Sequence, residues 1–390
     1  MSCAMSDALE TIHTDVLIVG AGPVGVTLAL ALEKSALRVL LVDRQADGAW
    51  QKDPRALALS HGSRQLLERL GAWNTPAGTP IRHIHVSQRG GFGSTQIEAA
   101  DYAIPALGYV MRYRDLLAGL YAQLPPDRLI APATVTRIET AAETATVTID
   151  ASGKRQRIEA RLVVHAEGTP SDDPDVAVRD YDQHAIVCEV TPAAPHENRA
   201  WERFTPDGPL ALLPVDKGYA VVLTVAPDKA ARILELSDGD FLATLNGQFG
   251  GRLELVATGP RAAFPLALRL RRRLTTERQV WLGNTAQTLH PVSGQGFNLG
   301  LRDAWELAET LLDTAPGDPG QAAPLAAYAL RRQPDRLGSA VFTDGIVRLF
   351  SNDIPPLKAL RGLGLLALDL APPLRHFVAR RMIWGARAWF

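Results

Sequence analysis

The spacing of apolar residues changes period early in the chain. Val16 to Val19 form an unbroken apolar run, the pattern of a short strand buried on both faces. Val24, Thr27, Leu28, Ala31 and Leu32 then recur at helical spacing, and RVLLVD, from Arg38 to Asp43, returns to a strand run. Strand, turn, helix, strand is the predicted order. Further on, Ser60 or Ser63 is placed to cap a helix carrying Leu66, Leu67 and Leu70. Ile81 to Glu98 alternate and turn at RGGFG, which predicts a hairpin, and AIVCEV and YAVVLTV mark a β-rich stretch between Ala185 and Val225. A strand from Val280 to Gly283 is followed by a helix with Leu301, Ala304, Trp305, Ala308 and Leu312 on one face. Beyond the Gly/Pro/Ala-rich break APGDPGQAAP the pattern is helical.

At 390 residues and 46% hydrophobic, the chain can bury two moderate cores or one large core with an insertion. Its 41 Lys+Arg against 42 Asp+Glu leave a formal charge of -1, so no nucleic-acid partner is expected from charge. Two cysteines, Cys3 and Cys188, lie far apart in sequence, which suits a reducing, cytoplasmic compartment rather than a disulfide framework. The first apolar run lacks a positively charged leader and is punctuated by Gly and Pro. It reads as neither a signal peptide nor a membrane span.

The turn between the first strand and helix is Gly20-Ala21-Gly22-Pro23-Val24-Gly25, a GxGxxG in the context that a dinucleotide site requires. Gly20 allows the tight turn, Gly22 lets backbone approach a pyrophosphate, and Gly25 permits close packing of helix on strand. Asp43, at the end of the second strand, is placed to accept hydrogen bonds from a ribose. The fingerprint does not separate NAD from FAD. A second Gly-rich stretch, GNTAQTLHPVSGQGFNLGLRD from Gly283, looks like the mouth of an active site yet holds no nucleophile, metal cluster or carboxylate pair.

These segments resemble the class A flavin-dependent aromatic hydroxylases, typified by p-hydroxybenzoate hydroxylase. The GxGxxG with Asp43, LVVHAEGTPS from Leu162 to Ser171, and the stretch from Gly283 look like the family's three motifs in order. RALALS from Arg55, RAWERFTPDGPLALLPV from Arg199, FPLAL from Phe264 and RRQPDR from Arg331 resemble the ubiquinone-biosynthesis branch, and the 2-polyprenyl-6-methoxyphenol hydroxylases within it. The resemblance implies an α/β fold. A Rossmann-like FAD-binding domain would be assembled from 1–75, 101–178 and 265–335, a β-sheet substrate domain from 76–100 and 179–264, and a C-terminal helical region from 336–390. It implies FAD bound by Gly20, Gly22, Gly25, Asp43, Arg44, Arg55, Arg112, Glu167, Gly168, Gly283, Asn284, Gly294, Gln295, Gly296, Asn298 and Leu299.

The reaction implied by the resemblance is hydroxylation of a polyprenylated methoxyphenol with dioxygen and NADPH or NADH, through a flavin C4a-hydroperoxide. The cofactor carries the reactive atom, so a loop without reactive side chains is expected. Gly294, Gly296 and the helix start near Asn298 and Leu299 would aim backbone N–H groups at the flavin. Pro291 would sit over the reacting position, and His290 is the candidate proton carrier; a turn proline and a structural histidine are the plainer readings. Gln295 and Asn298 could equally satisfy loop backbone. Two residues depart from the family pattern: Glu167 and Asn284 each stand where it has Asp.

From Ile354 to Phe390, six basic residues (Lys358, Arg361, Arg375, Arg380, Arg381, Arg387) face one acid, Asp369. This basic apolar segment either packs on the flavin domain or meets an anionic membrane surface or proteins of a ubiquinone-biosynthesis complex. The functional alternatives are a hydroxylase of another ring position or another phenol, and a flavin-binding scaffold.

Overall fold

The run Val16-Leu17-Ile18 is fully buried because neighbouring strands flank it on both edges and helices cover one face. The structure is a computed structural model describing residues 11–73, 78–169, 173–314, 316–350 and 354–385. Cys3, Pro170, Ser171, Ala315 and Arg387 lie outside the described residues.

Among the described residues three sheets form. Numbered in chain order, the first holds β1 (Thr11–Val19), β2 (Val39–Val42), β8 (Leu129–Ile130), β9 (Ala133–Thr140), β10 (Ala145–Ala151), β11 (Lys154–His165), β18 (Thr275–Thr276) and β19 (Gln279–Trp281). Its centre, β19-β11-β1-β2-β8, is parallel. Such a sheet is buried on both faces, which explains its continuous apolar runs. A small sheet joins β3 (Ala56–Ser60), β4 (Gly78–Ile81) and β7 (Gly108–Arg112). The third, nine-stranded sheet contains the predicted hairpin, β5 (His83–Gln88) with β6 (Ser94–Glu98). It continues through β12 (Val176–Pro192), β13 (Arg199–Thr205), β14 (Gly208–Val215), β15 (Gly218–Val225), β16 (Leu255–Thr258), β17 (Ala262–Arg271) and β20 (Gln287–Thr288).

The helices are α1 (Pro23–Leu32), α2 (His61–Arg69), α3 (Tyr113–Tyr121), α4 (Pro227–Glu235), α5 (Asp238–Phe249), α6 (Gln295–Asp313), α7 (Ala322–Phe350), α8 (Pro355–Leu370) and α9 (Pro372–Trp384). Ser60, not Ser63, caps α2, its hydroxyl accepting from the Ser63 N–H at 3.2 Å. Two helix faces differ from the periodicity. In α1, Val26, Ala29 and Leu30 are buried along with Thr27, Leu28 and Leu32 of the predicted stripe, while its Val24 and Ala31 are half-buried, because the helix is enclosed by the sheet and by α3 and α6. In α6 the buried stripe runs through Leu301, Ala304, Leu307, Ala308 and Leu311, whereas Leu312 is 42% exposed. The strand expected to end at Gly283 stops at Trp281, and Gly283 opens a short 3-10 turn.

Candidate active site

The first turn is shaped by what a side chain would strike. Gly20 has φ +104°, and a Cβ there would stand 2.5 Å from the Ala166 carbonyl carbon; at Gly25 it would stand 1.9 Å from the Gly20 oxygen. Gly22 differs, since a Cβ would meet only the Tyr113 hydroxyl, at 3.7 Å. The space before the helix is therefore open. Gly22 caps α1 with no side-chain bond, and its first turn carries no acid, so free N–H groups and the positive end of the dipole point into that space. An anion is the natural occupant.

Asp43 is tied to this turn. Its Oδ2 accepts from the Ala21 N–H at 2.6 Å and its Oδ1 from the Gln45 N–H at 2.7 Å, leaving further lone pairs for a ribose. Arg44 beside it is exposed. Tyr121 donates to the Ala21 carbonyl at 3.0 Å. With Trp50, Leu124 and Pro125, Tyr121 also lines an open cavity of about 440 Å³.

Arg55 and Arg112 have protein partners instead of open space. Arg55 donates to Asp53 through Nε at 2.9 Å and Nη2 at 2.6 Å, and lies 4.5 Å over the Tyr113 ring. Arg112, at the end of β7, bonds Glu189 at 2.5 Å and Asp216 at 2.7 Å, clamping the small sheet to the nine-stranded one. Either would have to exchange partners to reach a cofactor.

The second Gly-rich stretch folds against the first. At Gly283, with φ +56°, a Cβ would lie 3.3 Å from Val24, and at Gly300 one would lie 2.9 Å from it. Gly294, also left-handed at φ +59°, caps α6 without a side-chain bond, and no acid occupies the first turn. A Cβ on Gly296 would meet nothing within 4 Å. The helix begins earlier than expected, so the free donors are the N–H groups of Gln295, Gly296 and Phe297. Those of Asn298 and Leu299 lie within the ladder, and the Leu299 side chain is buried in the core beside Leu289 and Ala340.

The amides of this loop hold protein. Asn298 Oδ1 accepts from the Ser60 N–H at 2.8 Å and the Ser63 hydroxyl at 2.7 Å. Its Nδ2 donates to the Ala58 carbonyl at 3.0 Å and the Gly294 carbonyl at 2.8 Å. Gln295 donates to the Met382 carbonyl at 3.2 Å. The Pro291 carbonyl closes its turn by accepting from the Gly294 N–H at 2.8 Å, while its ring stays half-buried. His290 Nδ1 accepts from the Val292 N–H at 3.1 Å, and burial pushes the imidazole down to about 4. The ring is uncharged near neutral pH and caps the loop.

The two departures from the family pattern lie at the rim. Glu167 is exposed, 3.2 Å from His165 Nδ1, next to Gly168 at φ +103°. Asn284 is exposed and its carbonyl accepts from Thr288 at 3.4 Å.

Sequence reasoning missed a buried ionic cluster behind the loop. Asp303 Oδ2 accepts from the Gly283 N–H at 3.0 Å and from Gln287 at 2.6 Å, while its Oδ1 meets Arg332 at 2.7 Å. Arg332 and Arg302 both reach Asp335, at 3.0 Å and 2.7 Å, and Arg336 bonds Gln287 at 3.0 Å. Burial alone would raise the Asp335 carboxyl, but the two guanidinium groups hold it well below the usual range. The available signal was charge at helical spacing, Arg332, Asp335 and Arg336, inside an otherwise buried face.

Two uncapped helix starts suit a ligand with a diphosphate and a second anionic group, and relatives narrow the choice. Residues 13–336 match the family described as FAD binding domain. The chain belongs to that family. It is 35% identical to ubiquinone hydroxylase UbiL of Rhodospirillum rubrum over 94% of this chain and 88% of the relative. It is 28% identical to the 3-demethoxyubiquinol 3-hydroxylase of Escherichia coli over 93% and 96%. The fold is shared with p-nitrophenol 4-monooxygenase PnpA of Pseudomonas putida, at a TM-score of 0.77 and 17% identity, covering 97% of this chain and all of that one. The protein is an FAD-dependent monooxygenase, and the open space before Gly22 and Gly296 fits its cofactor.

Proposed function

We propose that this protein inserts one oxygen atom of dioxygen into the ring of a polyprenylated methoxyphenol on the route to ubiquinone, with NADPH or NADH as reductant. Full-length similarity to ubiquinone hydroxylases carries the reading. The start of α1 and Asp43 would hold the ADP half of FAD, and the first N–H groups of α6 would face the flavin ring. FAD supplies the electron transfer and oxygen activation. The residues of the chain bind, orient and exclude water. Donors at the start of α6 would stabilise negative charge on the ring, His290 would hold the loop, and Pro291 would present its ring to the substrate.

No helix among the described residues is long and apolar enough to cross a membrane. On α8, Leu360, Leu363 and Leu370 are each more than half exposed, supporting a cytoplasmic protein whose C-terminal region rests on a membrane or a biosynthetic partner. Arg361 does not join this face, being buried.

The test is substrate-stimulated oxidation of NADPH or NADH by the FAD-loaded protein, coupled to a hydroxylated product, using a methoxyphenol with a short prenyl chain. Reduction without product from any prenylphenol would favour a scaffold. Failure to bind FAD would overturn the mechanism.

A further inference from the structure

Strand β13 turns alternate side chains to opposite faces of its sheet. Trp201 faces outward, its ring 6.0 Å from Phe249 of α5. Ala200, Glu202 and Phe204 therefore face inward. Ala200 packs in a cluster with Ile81 and Val110, against which Ala56 of β3 also rests. Phe204 stacks on Phe350 at 3.8 Å, in a cluster that includes Val292 of the Pro291 turn. Ala58, on the same face of β3 as Ala56, lies 3.7 Å from where a Gly294 Cβ would stand. Glu202 is thus held between the small sheet and the Pro291–Gly294 turn, roughly 7 Å along the strand from Phe204.

Its surroundings are apolar. Val86 and Ala211 flank it in register on the neighbouring strands. Oε1 is buried with no hydrogen-bond partner among the described residues, and burial alone pushes the carboxyl up to about 8. The nearby charges are engaged elsewhere. Arg203 points outward to Ser87 at 3.0 Å, Arg112 is paired with Glu189 and Asp216, and Asp344 of α7 is paired with Arg179 and Arg348. Arg361 of α8 lies 5.9 Å over the Phe350 ring. None of them offsets the burial of Glu202.

We propose that Glu202 is the catalytic residue that accepts the phenolic proton of the substrate, from the sheet face that roofs the reacting ring. A carboxyl oxygen buried without a donor, as Oε1 is, is costly to keep unless a ligand completes it, and a phenol O–H is the donor it lacks. The phenol O–H bond breaks, a new O–H bond forms on the Glu202 carboxylate, and the electron pair stays on the phenolate oxygen. That enriches the ring for attack on an electrophilic oxygen. The proton passes to solvent when product leaves. A base whose pKa lies near the operating pH is suited to this transfer.

The inference rests on the phenol-hydroxylase reading, so the experiment separates the two. In FAD-loaded wild type, the affinities of 2-methoxyphenol and of its methyl ether, 1,2-dimethoxybenzene, are followed from pH 6 to 10 by perturbation of flavin absorbance. The phenol should bind more tightly as pH rises through about 8, where the Glu202 carboxylate forms, and the ether should not. Glu202→Gln should abolish that difference, keep FAD, and lower kcat roughly 100-fold or more with loss of the alkaline-rising limb. If both ligands follow the same pH dependence in wild type, the proposal is overturned, whether or not the variant folds. A variant that keeps kcat within threefold and the same limb overturns it too. If no methoxyphenol binds or is hydroxylated, the phenol-hydroxylase reading itself fails.

Discussion

The helices α1 and α6 both begin with a glycine cap and no side-chain bond, but they are held in place by different means. Around α1 the support is apolar: Val26 and Leu28 are fully buried, and no ionised group lies in the helix. Around α6 an apolar stripe is joined by polar support, from Asn298 at its first turns to Asp303, Arg302, Arg332 and Asp335 behind it. Apolar packing gives one end a position insensitive to pH. A buried ionic cluster gives the other end a direction, since Asp303 holds the Gly283 N–H itself, at the cost of dependence on every member being charged.

Asp303→Ala should have the largest effect. It leaves the Gly283 N–H, Gln287 and part of Arg332 unpaired, and breaking a buried pair costs about 3–5 kcal/mol; urea unfolding would measure the loss, with FAD affinity falling alongside. Acid should act on the same end. The Asp335 carboxyl is held below its unfolded value, so its stabilisation is present above about pH 4 and is lost as pH falls through the native value. Exchange of α6 amides should therefore rise in acid before that of α1, as hydrogen exchange can show.

Gly25→Ala attacks the other end. Its Cβ would stand 1.9 Å from the Gly20 oxygen. Overpacking of this kind costs about 1–3 kcal/mol, and the displaced turn should lose most bound FAD, read as the flavin-to-protein ratio after purification. Asn298→Ala should cost stability by a similar amount, about 1–3 kcal/mol from unsatisfied groups in β3 and α2, by thermal unfolding. Asn284→Asp restores the family's carboxylate at an exposed position. Stability should move by less than about 0.5 kcal/mol, and a change in flavin reduction potential without a change in fold would show that this charge acts on the cofactor.

The apolar end was the legible one. Val16–Val19, the GxGxxG turn and RVLLVD are contiguous, and each residue's task follows from backbone geometry and local spacing. The polar end was legible only in outline. The glycines of the second loop and the helix after it could be read, but the start of α6 fell earlier than expected, and the amides of Gln295 and Asn298 serve α9 and β3. Arg55 and Arg112 were read as cofactor residues by resemblance; Arg55 pairs with Asp53 two residues away, whereas the partners of Arg112, Glu189 and Asp216, lie on segments whose approach no local pattern reveals.

By itself the sequence determined the nucleotide turn, the alternation of parallel strands and helices, and a loop whose chemistry must come from a cofactor, because these depend on steric limits and periodicities within a few residues. Tertiary structure decided which charges meet and which stay alone. Asp303 finds Arg332 across 29 positions of chain, and Ser60 meets Asn298 across 238. Glu202 sits in an alternating strand that reads the same whichever face is covered. Packing of β3, the Pro291 turn and α7 beside that face leaves its Oε1 buried and without a partner among the described residues, and desolvation is what turns an ordinary acid into a base near neutral pH.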